Sequence, residues 1–228
     1  LAESIVQVWP SQNTQVVAIN GSYPGPTVKI AKGQTFTANL INNLTEVTTA
    51  HWHGISTPAN MDGHPKDPVN PGNSKVYTFP VINRAGTYFY HAHPDMLTAK
   101  QVFKGFAGFF IVTDASENFN LPSGNFDIPL CIQDHRTADI PNFNYAPGTY
   151  EGTFGYLGDT VLVNGTPDAY LDVGSGRIRE RRALRARAGQ GTERPARGDR
   201  ASADPAVGRA RGCDATGEEE AETVGALV

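Results

Sequence analysis

Cysteine is almost missing from this chain: 228 residues hold only Cys131 and Cys213. Two thiols far apart, neither beside a His, exclude a disulfide framework and a Cys-rich zinc site. No run of ~18 apolar residues occurs, which excludes a helical membrane span. Positive charge is also short. The formal net charge is −4, so the chain lacks the basic excess that a nucleic-acid partner calls for. The chain opens at Leu1 without a charged-then-apolar leader. That start is expected either of a processed protein or of a piece of a longer one.

Other residue types run out part-way along. No aromatic residue follows Tyr170 and no lysine follows Lys104, while only Arg84 and Arg136 precede Gly174. Residues 174–228 then hold eleven Arg, eleven Ala and nine Gly. The part up to Val173 carries 8 basic and 14 acidic residues, and the remainder 11 basic and 9 acidic. So few large apolar groups do not build a core. A basic-then-acidic interaction tail is one reading. Out-of-frame translation of GC-rich DNA is the preferred one, because Arg, Ala and Gly are the GC-codon residues. Residues 174–228 are expected to be a disordered or out-of-frame tail with no fold or function of their own. Within it, Arg179 to Arg187 has the composition of a transient helix.

What is present before the break is β-sequence. Ile5–Trp9, Gln15–Ile19, Thr27–Ile30, Gln34–Ile41, Lys75–Phe79, Thr87–Tyr90 and Gly108–Thr113 are short runs rich in Val, Ile, Thr, Phe and Tyr. Turn words such as Asn20-Gly21, Lys32-Gly33 and Pro71-Gly72 separate them. Seven or so strands at this spacing predict an all-β, antiparallel Greek-key sandwich. Leu97–Phe103 reads as one short helix. A second unit begins near Phe126, with strand-like runs at 128–133 and 158–165, the latter closed by an Asn-Gly turn. It breaks off at the composition change.

Two words inside strand-like runs carry the chemistry: His51-Trp52-His53-Gly54 and His91-Ala92-His93. Residues i and i+2 of a strand share a face, so each word projects two imidazoles together. Four convergent imidazoles without a carboxylate or thiolate lean towards copper or zinc. The other two His read as bystanders: His64 as an exposed loop residue and His135 as a surface or strand-end residue. Cys131 reads as a small buried apolar group. Asp62 precedes Gly63, where a turn Asp is common.

From about Ile19 to Val173 the chain resembles the N-terminal portion of the multicopper oxidases, the laccase, bilirubin oxidase and bacterial copper-efflux oxidase type. The likeness runs through Asn20-Gly21-Ser22-Tyr23-Pro24-Gly25-Pro26-Thr27, both His words, Met61-Asp62-Gly63, Gln101 to Gly108, Gly158-Asp159-Thr160 and Val163-Asn164-Gly165-Thr166. It implies a cupredoxin-like Greek-key β-sandwich over 1–117, carrying half of a trinuclear copper site. Residues 118–173 then begin a second, incomplete cupredoxin domain. It implies that His51 ligates the type 2 copper, that His53, His91 and His93 ligate the type 3 pair, and that Asp62 relays protons. Trp52 is expected beside the site, and Gly54 and Gly105 where backbones approach closely. The implied activity is oxidation of phenols, aromatic amines, pigments or Cu(I), coupled to reduction of O2 to water. A periplasmic or secreted location goes with it. The family's H-x-x-H-x-H and H-C-H motifs do not occur in these 228 residues. The type 1 site and four further His would therefore come from a C-terminal cupredoxin domain or a second subunit. A non-catalytic copper-binding cupredoxin module is the alternative.

Overall fold

Each of the seven expected runs becomes a strand in the computed structural model, which describes residues 1–9, 11–116, 120–139, 142–167, 169 and 179–184. A hairpin of β1 (Ala2–Trp9) and β2 (Gln12–Ala18) comes first. Then follow β3 (Val28–Ala31), β4 (Thr35–Ile41), β5 (Ala50–His53), β6 (Ser74–Pro80), β7 (Gly86–Ala92) and β8 (Ala107–Thr113). One sheet has the order β3-β8-β7-β5, and β4 pairs with β6 in another. Aromatic side chains close the space between the two. Phe36 of β4 meets Trp52 of β5 edge-on at 4.8 Å and Phe110 of β8 at 5.1 Å, and Phe79 of β6 lies 5.3 Å from Phe36. Such offset ring contacts add to the area each ring buries. The result is an all-β, cupredoxin-like sandwich.

One pairing departs from the antiparallel expectation. β3 runs parallel to β8, with Val28 opposite Phe110 and Ala31 opposite Thr113. A parallel pair needs a long crossover, and the strands between β3 and β8 in sequence provide it by visiting both sheets. The expected short helix is α1 (Thr98–Phe103), directly after the second His word.

The second unit contributes β9 (Asp127–His135), α2 (Thr149–Phe154), β10 (Thr160–Val163) and β11 (Arg179–Leu184), with sheet order β10-β9-β11. It shares a core with the hairpin and α1: Val8, Val16, Phe103, Phe143, Tyr156 and Leu162 are buried together. Three expectations are corrected here. His135 ends β9 as a strand-end residue but is not at the surface: it is fully buried, stacked on Phe143 at 3.9 Å with an interplanar angle of 9°. Cys131 is half-buried rather than buried. Arg179–Leu184 is a strand and not a helix.

Local propensity loses at β11 because β9 offers an open edge and a carboxylate. β11 lies parallel to β9 from Arg179 opposite Asp127 to Leu184 opposite Ile132. Arg181, 5% exposed, donates to both oxygens of Asp127 (2.5 and 3.0 Å) and to the Thr87 hydroxyl on β7 (2.8 Å). Bidentate Arg–carboxylate geometry is the strong form of ion pair. Cys213 and both expected domain boundaries, 117/118 and 173/174, lie outside the described residues.

Candidate metal centre

The alternation of β5 decides where its two imidazoles go. Ala50 and Trp52 are buried in the sandwich core, so His51 and His53 stand on the opposite face. On β7, Tyr90 and Ala92 face the core, and Phe89 and His91 face outward. The antiparallel register sets His51 directly opposite His91 and His53 opposite Phe89. His93, one residue past β7, stays in line because its backbone N–H donates to the Thr49 carbonyl at 3.1 Å. The two His words thus meet across a strand pair. The His51 ring lies 5.6 Å from His53, 5.3 Å from His91 and 5.2 Å from His93.

Hydrogen bonds choose which nitrogen each ring offers. His51 Nδ1 donates to the Asp62 carbonyl at 2.8 Å, and His91 Nδ1 donates to the Ala92 carbonyl at 2.8 Å. Both rings therefore keep Nε2 for the site. Histidines that ligate metals commonly have the second nitrogen tied down in this way. His53 differs: its Nδ1 lies 3.2 Å from His91 Nε2. One ligand atom from each of His51, His53 and His91 falls within 4.8 Å of the others. His93 stands outside that tight set, and its buried Nδ1 has no hydrogen-bond partner among the described residues.

Burial and the neighbouring rings disfavour the charged form of His91 and His53. Desolvation pushes the His91 pKa down to about 3, with His51, His53 and His93 adding to the shift. Burial, then His51 and His93, also lower that of His53. Neutral imidazole is the form that binds a metal. A converging set of imidazole nitrogens without thiolate, with the unpartnered His93 Nδ1 beside it, fits copper.

The loop carrying Asp62 reaches the site through one glycine. A single 3-10 turn (Ala59–Met61) ends at Asp62. Gly63 has φ +73°, and a Cβ there would stand 1.8 Å from the Ala50 carbonyl oxygen. Only glycine lets the loop lie against β5 closely enough for the Asp62 carbonyl to meet His51. The Asp62 carboxylate lies 3.5 Å from His51 Nδ1 and accepts the Thr57 hydroxyl at 3.0 Å. Sequence reasoning singled out Asp62 but not Gly63, Thr57 or Phe89. The Asp-Gly pair was a visible signal for Gly63; nothing local pointed to Thr57. Trp52 packs in the core behind the His face, and His64 is exposed as expected. Gly105 does mark a close approach, since a Cβ there would stand 2.5 Å from the Tyr23 ring.

Known proteins share these features. The family model described as multicopper oxidase matches residues 2–117. A multicopper oxidase of Staphylococcus aureus is 41% identical over 170 residues, covering 74% of this chain and 37% of that protein. The cell division protein FtsP of Escherichia coli is 34% identical over 175 residues, covering 75% and 37%. The crystal structure of McoA, a multicopper oxidase from the hyperthermophile Aquifex aeolicus, superimposes with a TM-score of 0.72 at 38% identity, covering 82% of this chain and 41% of that one. The chain spans about two fifths of the length of the relatives it matches.

Proposed function

This chain belongs to the multicopper oxidase family, and on that premise we propose that it is the N-terminal portion of a copper-dependent oxidoreductase. The enzyme would oxidise a small reductant (a phenol, an aromatic amine, a pigment or Cu(I)) and reduce O2 to water. One observation carries the reading: His51 faces His91 across β5 and β7, with three ligand nitrogens within 4.8 Å of one another. We assign His51 to a type 2 ion, and His53, His91 and His93 to a type 3 pair. Residues 1–117 are then the copper-bearing cupredoxin domain and 118–173 the opening of the next. The remaining His and the type 1 ion belong to a further cupredoxin domain or a second subunit. Two facts support that division: the chain spans two fifths of its relatives' length, and Cys131 has Leu130 and Ile132 as neighbours instead of His. A periplasmic or secreted setting completes the reading.

Copper held there supplies one-electron redox chemistry and the place where O2 is reduced. The chain's own residues prepare that place. The Asp62 carbonyl holds His51 so that Nε2 points inward. Making water consumes protons, and the Asp62 carboxylate, 36% exposed, connects solvent to the His51 side of the site. The Thr57 hydroxyl holds that carboxylate in place. A positioned carboxyl is a competent proton carrier.

The second reading is a copper-binding module without oxidase activity. The likeness to FtsP, named for cell division, favours it. Copper content of the 228-residue chain tests the site itself: joint replacement of His51 and His91 by Ala is expected to abolish binding, and unchanged binding would end both readings. Sequencing the source gene across the Val173 codon, in all three frames, separates them. A frame reaching H-x-x-H-x-H and H-C-H supports the oxidase, and a gene ending after Val228 in the present frame supports the module.

A further inference from the structure

Of the three clustered imidazoles, His53 alone lacks a carbonyl anchor. His51 and His91 each give the Nδ1 proton to a backbone carbonyl, which fixes the ring and commits Nε2 to the site. Among the described residues no carbonyl accepts a proton from His53, whose Nδ1 instead points at His91 Nε2. An imidazole free to turn about its Cβ–Cγ bond presents either nitrogen. The hydrogen bond from His53 Nδ1 to His91 Nε2 is lost once a metal takes those two nitrogens, so another group must hold the one ring that offers Nδ1.

Phe89 is the group in position to do so. It is the cross-strand partner of His53. Its ring lies parallel to that of His53, 4.4 Å away at 18°, and 5.2 Å from His91 at 27°. Phe89 leaves the core to Tyr90 and contributes its ring to the His face. A flat ring against both imidazoles confines their planes and covers one side from water.

Building on the proposed copper site, we propose that Phe89 is a positioning residue for it. By stacking on His53 and His91, Phe89 keeps His53 turned so that Nδ1, rather than Nε2, joins the ligand set. The inference concerns ring orientation and not bulk, so the test separates the two. Phe89→Leu keeps an apolar side chain without a ring, Phe89→Trp keeps a ring, and Phe89→Ala removes both. The 228-residue chain and each variant are titrated with Cu(I) against a competing chelator. Substoichiometric Cu(II) is then examined by electron paramagnetic resonance for coupled nitrogens. Loss of a group that orients a ligand commonly costs about 10-fold or more in metal affinity. Phe89→Leu is expected to weaken Cu(I) about 10-fold and to change the nitrogen coupling, with Phe89→Trp restoring both. If Phe89→Leu binds and couples as the parent does, the inference is overturned. Should that happen while His53→Ala and His91→Ala still lose copper, the copper reading stands without it. If those two variants also bind as the parent does, the copper reading fails first. Unfolding midpoints show that each variant is folded, and Phe89→Leu decides if Phe89→Ala is not.

Discussion

Thr87, Phe89 and His91 lie on one face of β7, and the two ends of that face are finished in opposite ways. At the Thr87 end unlike groups meet. The Arg181 guanidinium takes the Asp127 carboxylate with two hydrogen bonds and the Thr87 hydroxyl with a third, and Lys29 stands 3.8 Å from the same carboxylate. At the His91 end like groups meet. Imidazole nitrogens crowd together, with His53 Nδ1 only 3.2 Å from His91 Nε2, and burial disfavours a second proton on His91. The first arrangement is complete and closes β11 onto the sandwich. On the proposed reading, the second would be completed by a cation placed among the nitrogens.

Removing the ligands should break the contrast most completely. His51→Ala with His91→Ala is expected to take copper binding from full occupancy to none, measured as metal content after loading and desalting. Stability of the copper-free protein should hardly fall, since both rings stand on the strand face turned away from the core. Arg181→Ala should do the reverse. It leaves Asp127 buried with its main partner gone, a change that costs about 3 kcal/mol, and copper affinity should stay as it was. A urea midpoint that does not move would show that the strand at Arg179–Leu184 does not contribute to the fold.

Gly63→Ala sharpens the comparison from within the site. Its Cβ would collide with the Ala50 carbonyl, and its φ of +73° disfavours any side chain. A cost of about 2 kcal/mol is expected, together with weaker copper binding, because the Asp62 carbonyl withdraws from His51. Equal affinity in a folded variant would remove the Asp62 carbonyl from the account.

Acid should act gradually, and its effect per pH unit is the smallest of these. In the unfolded chain His91 takes a proton near pH 6.5, whereas in the folded protein it resists until about 3. The unfolded state therefore binds more protons below pH 6.5, and copper-free stability declines as the pH falls from there toward 3. The slope is at most about 1.4 kcal/mol per pH unit for His91. His53, lowered in the same direction but more exposed, adds less. Urea midpoints at several pH values measure it. His91→Ala should flatten the curve.

Local signals were legible without coordinates where they depend on near neighbours. Strand runs, the short helix after His93 and the shared face within each His word all follow from i to i+2 parity and turn residues, and the structure agrees. The Asn-Gly turn at Asn164 and Gly165 is another case, with φ of 50° and 79° at the two positions. Composition was a weaker guide. The shift at Gly174 is real, yet Arg179–Leu184 pairs along β9. The buried Arg181 looks no different in sequence from the arginines around it. His135 escaped for the same reason: its ring finds Phe143, Tyr23 and Phe103 only after β9 docks on α1.

By itself, the chain's residue order determined that two pairs of imidazoles would each project from one strand face, within an all-β sandwich. Alternation along an extended backbone is a property of consecutive residues, and no partner strand is needed to establish it. Tertiary structure alone decided that the pairs face each other, because register between β5 and β7 is a contact between residues forty positions apart. It also decided which nitrogen His51 offers, since the Asp62 carbonyl is placed by a loop that local sequence does not encode, and it set the Phe89 ring against His53. Chemistry that requires several groups within a few ångströms is settled at that level, where long-range packing overrides local preference.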